Sequence, residues 1–171
     1  MWNERSHAFT DYAWQKHETL PITAAGLFPL FLHVANQHQA EMEAQTVRRK
    51  LLTPGGIATT LVVSGQQWDH PNGWAPLQWI AVVGLKNYNE VQLAEAIAIR
   101  WSCENIDGYH MSRILVEKYN LMTGSAGGGG EYAVQIGFGW TNGVLRALTS
   151  LYPTLSRFSP QLCGTLRAAS P

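Results

Sequence analysis

The chain has 171 residues, of which 46% are hydrophobic, and its 12 lysines and arginines are balanced by 12 aspartates and glutamates. A chain of this length can form one domain with a real core, and its hydrophobic fraction excludes wholesale disorder. Neither charge forms a run longer than three residues, so the basic stripe that a nucleic-acid partner requires is missing. No apolar stretch reaches the roughly 18 residues of a membrane span. We therefore expect a neutral ligand, and neither a nucleic acid nor a membrane as partner.

Helical periodicity dominates the chain. The predicted helices cover residues 22–36, 39–52, 75–88, 90–106, 111–119 and 141–151. Pro29 falls inside the first and predicts a kink or a late start there. The β-branched run over residues 57–63 predicts a short strand. Residues 153–171 are rich in Ser, Pro and Thr, and we expect a poorly ordered tail there.

The order of these elements predicts an all-α fold. The helices pair through short turns, which is typical of stacked αα-hairpins. No regular alternation of strands and helices is present, so a parallel sheet is disfavoured. Polar and aromatic residues recur just before an apolar helix, and we therefore expect the functional loops to lie together at one end of the hairpins.

Two loops carry most of the chemistry. Residues 65–76 read GQQWDHPNGWAP, and residues 124–144 read GSAGGGGEYAVQIGFGWTNGV. Four consecutive glycines exclude a helix or strand interior, where each would cost about 0.5–1 kcal/mol relative to alanine. Carboxylates, amides and indoles grouped on stiff loops suit a neutral polyhydroxylated ligand such as a sugar.

These loops resemble a known family. QQWDHPNGWAP (66–76) and GGGGEYAVQIGFGWTNG (127–143) resemble signature segments of the trehalases, glycoside hydrolase family 37. LVEKYN (115–120) resembles a third segment, and DYAWQKH, ITAAGLFPLF and TPGGIATT resemble the family in the same order. The resemblance covers about residues 2–152 and implies αα-hairpins that form the C-terminal part of an (α/α)6 toroid. Residues 1–152 would then be a partial catalytic domain, and residues 153–171 a tail.

The resemblance implies hydrolysis of α,α-trehalose to two glucose molecules with inversion. The family's general-acid aspartate lies in an upstream segment that resembles ESGWDFSSR, and nothing in this chain matches it. We therefore expect the chain to be inactive by itself. Two alternatives remain open, namely a non-catalytic sugar-binding module and a gene fragment without independent function.

Two glutamates compete for the role of general base. An inverting glycosidase needs a carboxylic acid to protonate the leaving oxygen and a carboxylate to activate water. From the residues alone, Glu131 after the glycines is the more conspicuous candidate. Glu117 can equally be a solvated charge paired with Lys118 or Arg113. The resemblance implies instead that Glu117 is the base and that Glu131 binds sugar hydroxyls. It also suggests that the glycines let the backbone approach the substrate.

The resemblance further implies a sugar-binding wall. Its predicted members are Trp68, Asp69, Asn72, Trp74, Phe138 and Trp140. Indoles can stack on the apolar face of a pyranose ring while amides and carboxylates bind its hydroxyls. The alternative for the two tryptophans at 68 and 74 is that they are core residues of a Pro/Gly turn, and the two aromatic residues at 138 and 140 can simply pack.

Other residue types give weaker indications. Cys103 and Cys163 can form a disulfide or stay as free thiols, and their spacing does not decide between these. The six histidines lack a metal-site spacing, so we expect no metal and no organic cofactor. A partial ring exposes helix faces, which predicts self-association. The Ser/Pro-rich tail with its cysteine favours a periplasmic or secreted location over the cytoplasm.

Overall fold

The computed structural model of the protein describes residues 1–169. Helices make up most of its regular structure. The α-helices are α1 (Phe28–Phe31), α2 (Gln37–Lys50), α3 (Ala75–Asn87), α4 (Val91–Ser112), α5 (Gly139–Leu151) and α6 (Pro160–Ala169). Two short 3-10 helices, Ala24–Leu27 and Pro153–Arg157, precede α1 and α6. No helix in this part of the chain is long and apolar enough to cross a membrane.

The strands are short and form four antiparallel pairs. The pairs are β1 (Trp2–Asn3) with β2 (Ala8–Phe9), β3 (Tyr12–Ala13) with β4 (Glu18–Thr19), β5 (Leu52–Thr53) with β6 (Gly56–Ile57), and β7 (Asn72–Trp74) with β8 (Lys118–Asn120). The first three pairs are local hairpins. Only the fourth joins segments far apart in sequence, and it shapes the candidate site.

The core lies around α3 and α4, which are joined by residues 88–90 and pack against each other. Leu27, Leu85, Ile97 and Trp101 are among the side chains fully buried there. Gln78 on α3 is also buried. Its side-chain amide is compensated for the loss of water, because it donates to Ile57 O at 2.8 Å and accepts from Ile57 N at 2.9 Å. This amide fixes β6 to the helical core.

The predicted helices over 39–52, 75–88, 90–106 and 141–151 correspond to α2, α3, α4 and α5 within a few residues at each end, except that α4 continues to Ser112. The start of α2 has a clear local cause. Asn36 accepts a hydrogen bond from Gln39 N at 2.8 Å, and the Gln39 side chain accepts from Asn36 N at 3.0 Å. This reciprocal capping satisfies two backbone donors that the first turn leaves free.

The single helix predicted over 22–36 is wrong. A 3-10 turn over Ala24–Leu27 is followed only by the short helix α1, which has Pro29 in its first turn. Proline lacks a backbone N–H and fits the first turn of a helix but not its interior. The predicted late start is therefore correct, and the predicted length is not.

The strand predicted over 57–63 is largely wrong. Ile57 ends β6, Thr60 forms one isolated bridge with Thr23, and Leu61 to Val63 are exposed. Within the described residues these last three have no strand partner. β-Branched residues form a strand only where a neighbouring segment is available to pair with their backbone.

The helix predicted over 111–119 is also wrong. α4 ends at Ser112, and Arg113 takes a left-handed conformation with φ of 61°. Lys118–Asn120 is then extended, because it pairs with β7. A long-range backbone ladder has overridden local helical spacing.

The tail differs from the poorly ordered segment that we expected. Residues Pro153–Arg157 form a 3-10 helix, and α6 packs against α4. A disulfide between Cys103 on α4 and Cys163 on α6 joins the two helices. This covalent link, which composition could not reveal, explains the order. Residues 170–171 of the predicted tail lie outside the described residues, and the division into residues 1–152 and 153–171 stays a prediction.

Candidate active site

The pairing of β7 with β8 places two distant segments side by side. Asn72 lies opposite Asn120, and Trp74 lies opposite Lys118. β7 belongs to the segment at 66–76, and β8 belongs to the LVEKYN segment at 115–120. Glu117 comes directly before β8, so the ladder brings the predicted base next to the predicted sugar-binding wall.

Residues 124–138, which we name the glycine loop, wrap around this point. At one end Gly127 N donates to Lys118 O at 2.9 Å. At the other end Glu117 N donates to Gln135 O at 3.0 Å. The loop leaves β8 on one side and returns on the other, so it encloses Glu117 and Lys118.

The consecutive glycines let this loop pack tightly on another loop. A Cβ on Gly129, whose φ is +79°, would lie 2.2 Å from the carbonyl oxygen of Gly65. Next to it, Gly128 accepts a hydrogen bond from Asn72 Nδ2 at 2.8 Å and donates to Asn72 Oδ1 at 3.2 Å. The close approach in this structure is therefore between the two signature loops. Approach to a substrate, the role suggested by the resemblance, stays a prediction.

The Glu117 carboxylate is held on both of its oxygens. Its side chain is only 1% exposed, and Oε1 forms an ion pair with Lys118. Oε2 accepts a hydrogen bond from the Tyr132 hydroxyl at 3.4 Å. The backbone carbonyl of Glu117 accepts from Trp140 Nε1 at 3.1 Å. The predicted base is therefore a fixed, buried carboxylate rather than a solvated surface charge.

Lys118 is fully buried, with 0% of its side chain exposed. Its Nζ lies 5.2 Å from the ring centroid of Trp74 and 5.3 Å from that of Tyr132. Both distances are within the range of a cation–π contact. The ammonium is thus enclosed by one carboxylate and two aromatic rings.

The four predicted aromatic residues form one continuous cluster. Trp68 stacks on Trp74 with ring centroids 4.0 Å apart and an interplanar angle of 7°. Trp74 meets Trp140 edge-on at 5.5 Å, and Trp140 contacts Phe138 at 4.7 Å. Trp74 is 1% exposed, whereas Trp68 is 44% exposed. Trp74 is therefore a core residue that supports Trp68, and Trp68 is the indole able to offer a face to a ligand.

Asp69 and Asn72 are occupied by the loop itself. Asp69 accepts hydrogen bonds from the hydroxyls of Thr60, at 2.9 Å, and Ser64. Asn72 is buried, and besides its bonds to Gly128 it donates to Gln67 O at 3.2 Å. In this structure both side chains shape the segment that carries Trp68.

Glu131 differs from Glu117 in both its exposure and its contacts. Its side chain is exposed, and among the residues that the structure describes none forms a hydrogen bond or ion pair with its carboxylate. An exposed carboxylate on a loop that faces the cluster can accept hydrogen bonds from a polar ligand. The structure brings Glu131 into the same loop as Tyr132 but gives it no partner of its own.

Tyr119 follows Lys118 in β8, and its side chain points to the opposite face of the strand, because successive strand residues alternate between the two faces. Its ring packs edge-on against Trp101 at 5.6 Å, and its hydroxyl accepts from Val116 N at 3.4 Å. Burial is the main cause that raises the pKa of Tyr119 to about 12. Its role is to attach β8 to α4.

Two residues in contact with Glu117 were missed by the sequence reasoning as members of the site. The sequence interpretation includes Lys118 only as a possible partner of a solvated Glu117, and it does not assign Tyr132 to the site. The motifs LVEKYN and GEY contain both, but their distances to Glu117 depend on how the glycine loop returns to β8. Within residues 1–169 no group of three or more His, Cys, Asp or Glu side chains could hold a metal ion.

Comparison with known proteins agrees with this geometry. A family model described as trehalase matches residues 1–153. The chain is 52% identical over 155 residues to the periplasmic trehalase of Xanthomonas oryzae pv. oryzae, and the match covers 90% of this chain. Xanthomonas axonopodis pv. citri has a periplasmic trehalase with the same identity and coverage. The chain spans 27% of the length of these curated relatives.

Solved structures show the same fold. The neutral trehalase of Saccharomyces cerevisiae superimposes with a TM-score of 0.76 at 25% identity, covering 100% of this chain and 30% of that one. A GH63 mannosylglycerate hydrolase from Thermus thermophilus, solved with glucose, superimposes with a TM-score of 0.65 at 22% identity, covering 88% of this chain and 36% of that one. The prediction of αα-hairpins from an (α/α)6 toroid is confirmed. The chain belongs to the trehalase family, and it spans only part of the length of the members that it matches.

Proposed function

We propose that this chain supplies the general-base side of an active site that hydrolyses α,α-trehalose to two glucose molecules with inversion. The observation that carries the proposal is the fixed Glu117 carboxylate next to the cluster of Trp68, Trp74, Trp140 and Phe138. Membership of the trehalase family and similarity to periplasmic trehalases support the substrate.

In this reaction Glu117 removes a proton from the water that attacks the anomeric carbon. Because Lys118 holds Oε1 inside the protein, Oε2 is the oxygen that meets the water. The hydroxyl of Tyr132 lies 3.4 Å from Oε2, so the water would replace a long hydrogen bond there. A second carboxyl group, roughly 6.5–9.5 Å from the base, has to protonate the leaving oxygen. Nothing in this sequence matches the family's acid segment, so we propose that the acid comes from residues outside this chain.

The sugar-binding wall is formed by Trp68 and Glu131. The exposed face of Trp68 can stack on a pyranose ring, while the exposed carboxylate of Glu131 accepts hydrogen bonds from hydroxyls. The buried residues Asn72 and Trp74 and the half-buried residues at positions 69, 138 and 140 contribute by fixing the shape of this wall. Small-molecule sites commonly combine an apolar surface with a few fixed polar groups.

The test is to express the chain both by itself and within the longest reading frame that contains it. We expect glucose release from trehalose only by the longer form, because it alone would supply the acid. Proton NMR at early times should show equal amounts of α- and β-glucose, since inversion changes one anomeric centre and leaves the other. Binding of trehalose without turnover by both forms would contradict hydrolysis and favour a sugar-binding module. No binding and no turnover by either form would favour a fragment without function.

Glu131→Gln and Glu117→Gln separate binding from catalysis in the active form. A glutamine at 131 should raise KM several-fold with little change in kcat, because it weakens contacts made in the ground state. A glutamine at 117 should lower kcat, because an amide cannot accept the proton of the water. Equal effects of the two changes on kcat would overturn the assignment of roles.

We also propose that the protein functions in the periplasm or outside the cell. The Cys103–Cys163 disulfide supports this location, because such bonds persist in oxidising compartments and are rare in the cytosol. The relatives at 52% identity are periplasmic trehalases. Thiol labelling of the protein in cell fractions tests the proposal, which fails if most of the protein is cytoplasmic with both thiols free.

The isolated chain should self-associate through its exposed apolar side chains. Three consecutive apolar residues are exposed next to the segment that carries Trp68, namely Leu61, Val62 and Val63. Exposed apolar patches on a partial domain favour association. Sedimentation of the 171-residue chain should give oligomers, and serine at all three positions should reduce them. A monomeric parent chain would contradict this proposal.

A further inference from the structure

The feature that carries a further inference is the burial of Lys118. Removing an ammonium group from water costs several kcal/mol unless other groups compensate for the lost hydration. Here the compensation comes from three named groups: the carboxylate of Glu117 and the rings of Trp74 and Tyr132. Each of these three belongs to a different segment of the chain, so the ammonium is a point at which the segments meet.

The backbone keeps this ammonium in place. Lys118 is paired with Trp74 in the β7–β8 ladder, and its carbonyl accepts a hydrogen bond from Gly127 N at 2.9 Å. Strand β7 and the glycine loop therefore fix the backbone of Lys118 while its ammonium reaches Glu117. Strand neighbours usually point apart, but Glu117 precedes β8, so its side chain can turn towards the lysine.

The two partners of the Glu117 carboxylate are unequal. Lys118 is fully enclosed, whereas Tyr132 lies on the glycine loop and is 46% exposed. The tyrosine can therefore yield its place on Oε2 to a water molecule, and the lysine cannot leave Oε1. The ion pair on Oε1 therefore fixes the orientation of the carboxylate, and the exchangeable bond on Oε2 leaves that oxygen available to a water molecule.

We infer that Lys118 is a positioning residue, whose buried ammonium fixes Oε1 of Glu117 and so directs Oε2 towards the attacking water. The inference rests on the proposed function, in which Glu117 is the base. The competing explanation is a buried ion pair that only stabilises the fold.

The first experiment tests the contact and needs no activity. The 171-residue chain is labelled with ¹⁵N-lysine, and the Nζ protons are observed by NMR. We expect a slowly exchanging Lys118 signal with nuclear Overhauser contacts to the rings of Trp74 and Tyr132, and its loss in Glu117→Gln. Lys86, which lies 5.2 Å from the ring of Tyr152, is the matched control and should not respond. A Lys118 signal that exchanges freely in the parent chain would overturn the inference.

The second experiment tests the role in the form that hydrolyses trehalose. Lys118→Met should lower kcat about 10- to 100-fold, change KM less than about three-fold, and move the acidic limb of the pH–rate profile to higher pH. Lys118→Arg, which keeps the charge, should return the acidic limb towards its original position. Lys86→Met should leave all three quantities unchanged.

The outcomes separate this inference from the proposed function. If the parent hydrolyses trehalose and Lys118→Met keeps its kcat and pH profile, only the positioning role is overturned. A loss of activity that follows thermal stability, without a shift of the profile, also overturns it in favour of a structural ion pair. If the parent hydrolyses no trehalose in either form, the proposed function fails, and the NMR result still decides whether Lys118 holds the carboxylate.

Discussion

Two regions of this molecule each bury a glutamate, and they treat it in opposite ways. Glu43 on α2 accepts a hydrogen bond from Phe9 N at 2.6 Å, and its Oε1 has no hydrogen-bond partner among the described residues. Burial raises the pKa of Glu43 from 4.5 to about 8, although the bond from Phe9 acts in the other direction. Glu117 is just as buried, but a cation and a hydroxyl meet its two oxygens.

The difference shows what each carboxyl group is suited to do. A buried carboxyl without a cation keeps its proton near neutral pH and acts as a polar link, here between α2 and β2. A buried carboxylate beside a fixed ammonium is held in one orientation. Burial alone therefore does not make a glutamate a candidate base, and the groups that contact its two oxygens have to be compared as well.

The largest expected effect compares Glu117→Gln with Glu43→Gln in trehalose hydrolysis by the longer form of the protein. Glu117→Gln should reduce kcat/KM by about 10²–10⁴, the usual contribution of a general base. Glu43→Gln should leave it within about two-fold, because a neutral amide resembles the protonated carboxyl that it replaces. Steady-state kinetics of both variants give the answer. A comparable loss in both would mean that Glu117 is no more than structural.

The next effect concerns the disulfide, which closes a loop containing Glu117 but not Glu43. Cys103 and Cys163 are 60 residues apart, so Cys163→Ser should lower the free energy of unfolding by roughly 4 kcal/mol. Hydrogen exchange should increase in the glycine loop and α6 far more than in α2. Reduction of the parent should have the same effect. An equal increase of hydrogen exchange in α2 and in the glycine loop would contradict the expected difference between the two regions.

A smaller effect is the pH dependence that Glu43 gives to stability. Between pH 4.5 and about 8 the folded state keeps a proton that the unfolded state releases, so this contribution is complete below pH 4.5 and is lost as the pH rises through 8. Between pH 5 and pH 9 the loss amounts to about 4 kcal/mol, because about three pKa units lie in that interval. Urea unfolding at pH 5 and pH 9 should show a smaller decline for Glu43→Gln than for the parent. Glu18→Gln, on an exposed strand, is the control and should match the parent.

The smallest effect is expected at Trp68, which lies outside the buried part of the site. Trp68→Ala should raise KM for trehalose about five- to ten-fold through loss of a stacking surface worth roughly 1 kcal/mol. The free energy of unfolding should change by less than this amount, because the ring is 44% exposed. Steady-state kinetics measures KM, titration calorimetry measures the affinity, and thermal unfolding measures the stability. A large loss of stability with unchanged affinity would make Trp68 a core residue like Trp74.

Local sequence patterns were sufficient where local forces decide. Helix α2 begins at a capping box, and α3 begins with a proline at its N-terminus. Their bounds followed from spacing and terminators. By contrast, the helix predicted over 111–119 failed because β8 exists only through its ladder with β7, in which the paired residues Asn72 and Asn120 are 48 positions apart. Order in the tail likewise depends on a disulfide to α4.

The candidate site divides in the same way. Motif resemblance named Glu117, Glu131 and the aromatic cluster, because those residues stand in recognisable segments. It could not show that Trp74 is buried behind Trp68, since that depends on the fold of residues 65–76. Nor could it show which groups meet the two carboxylate oxygens of Glu117. Those contacts arise only when the glycine loop closes on β8.

The contact between Gly129 and Gly65 has a mechanical consequence. With 2.2 Å between the carbonyl oxygen of Gly65 and the place of a Cβ on Gly129, no side chain fits between the two loops. Asn72 bridges them on the adjacent side through Gly128. We therefore expect the segment that carries Trp68 and the segment that carries Glu131 and Tyr132 to move together if a ligand displaces either of them. A reporter attached to either segment would record the displacement of both.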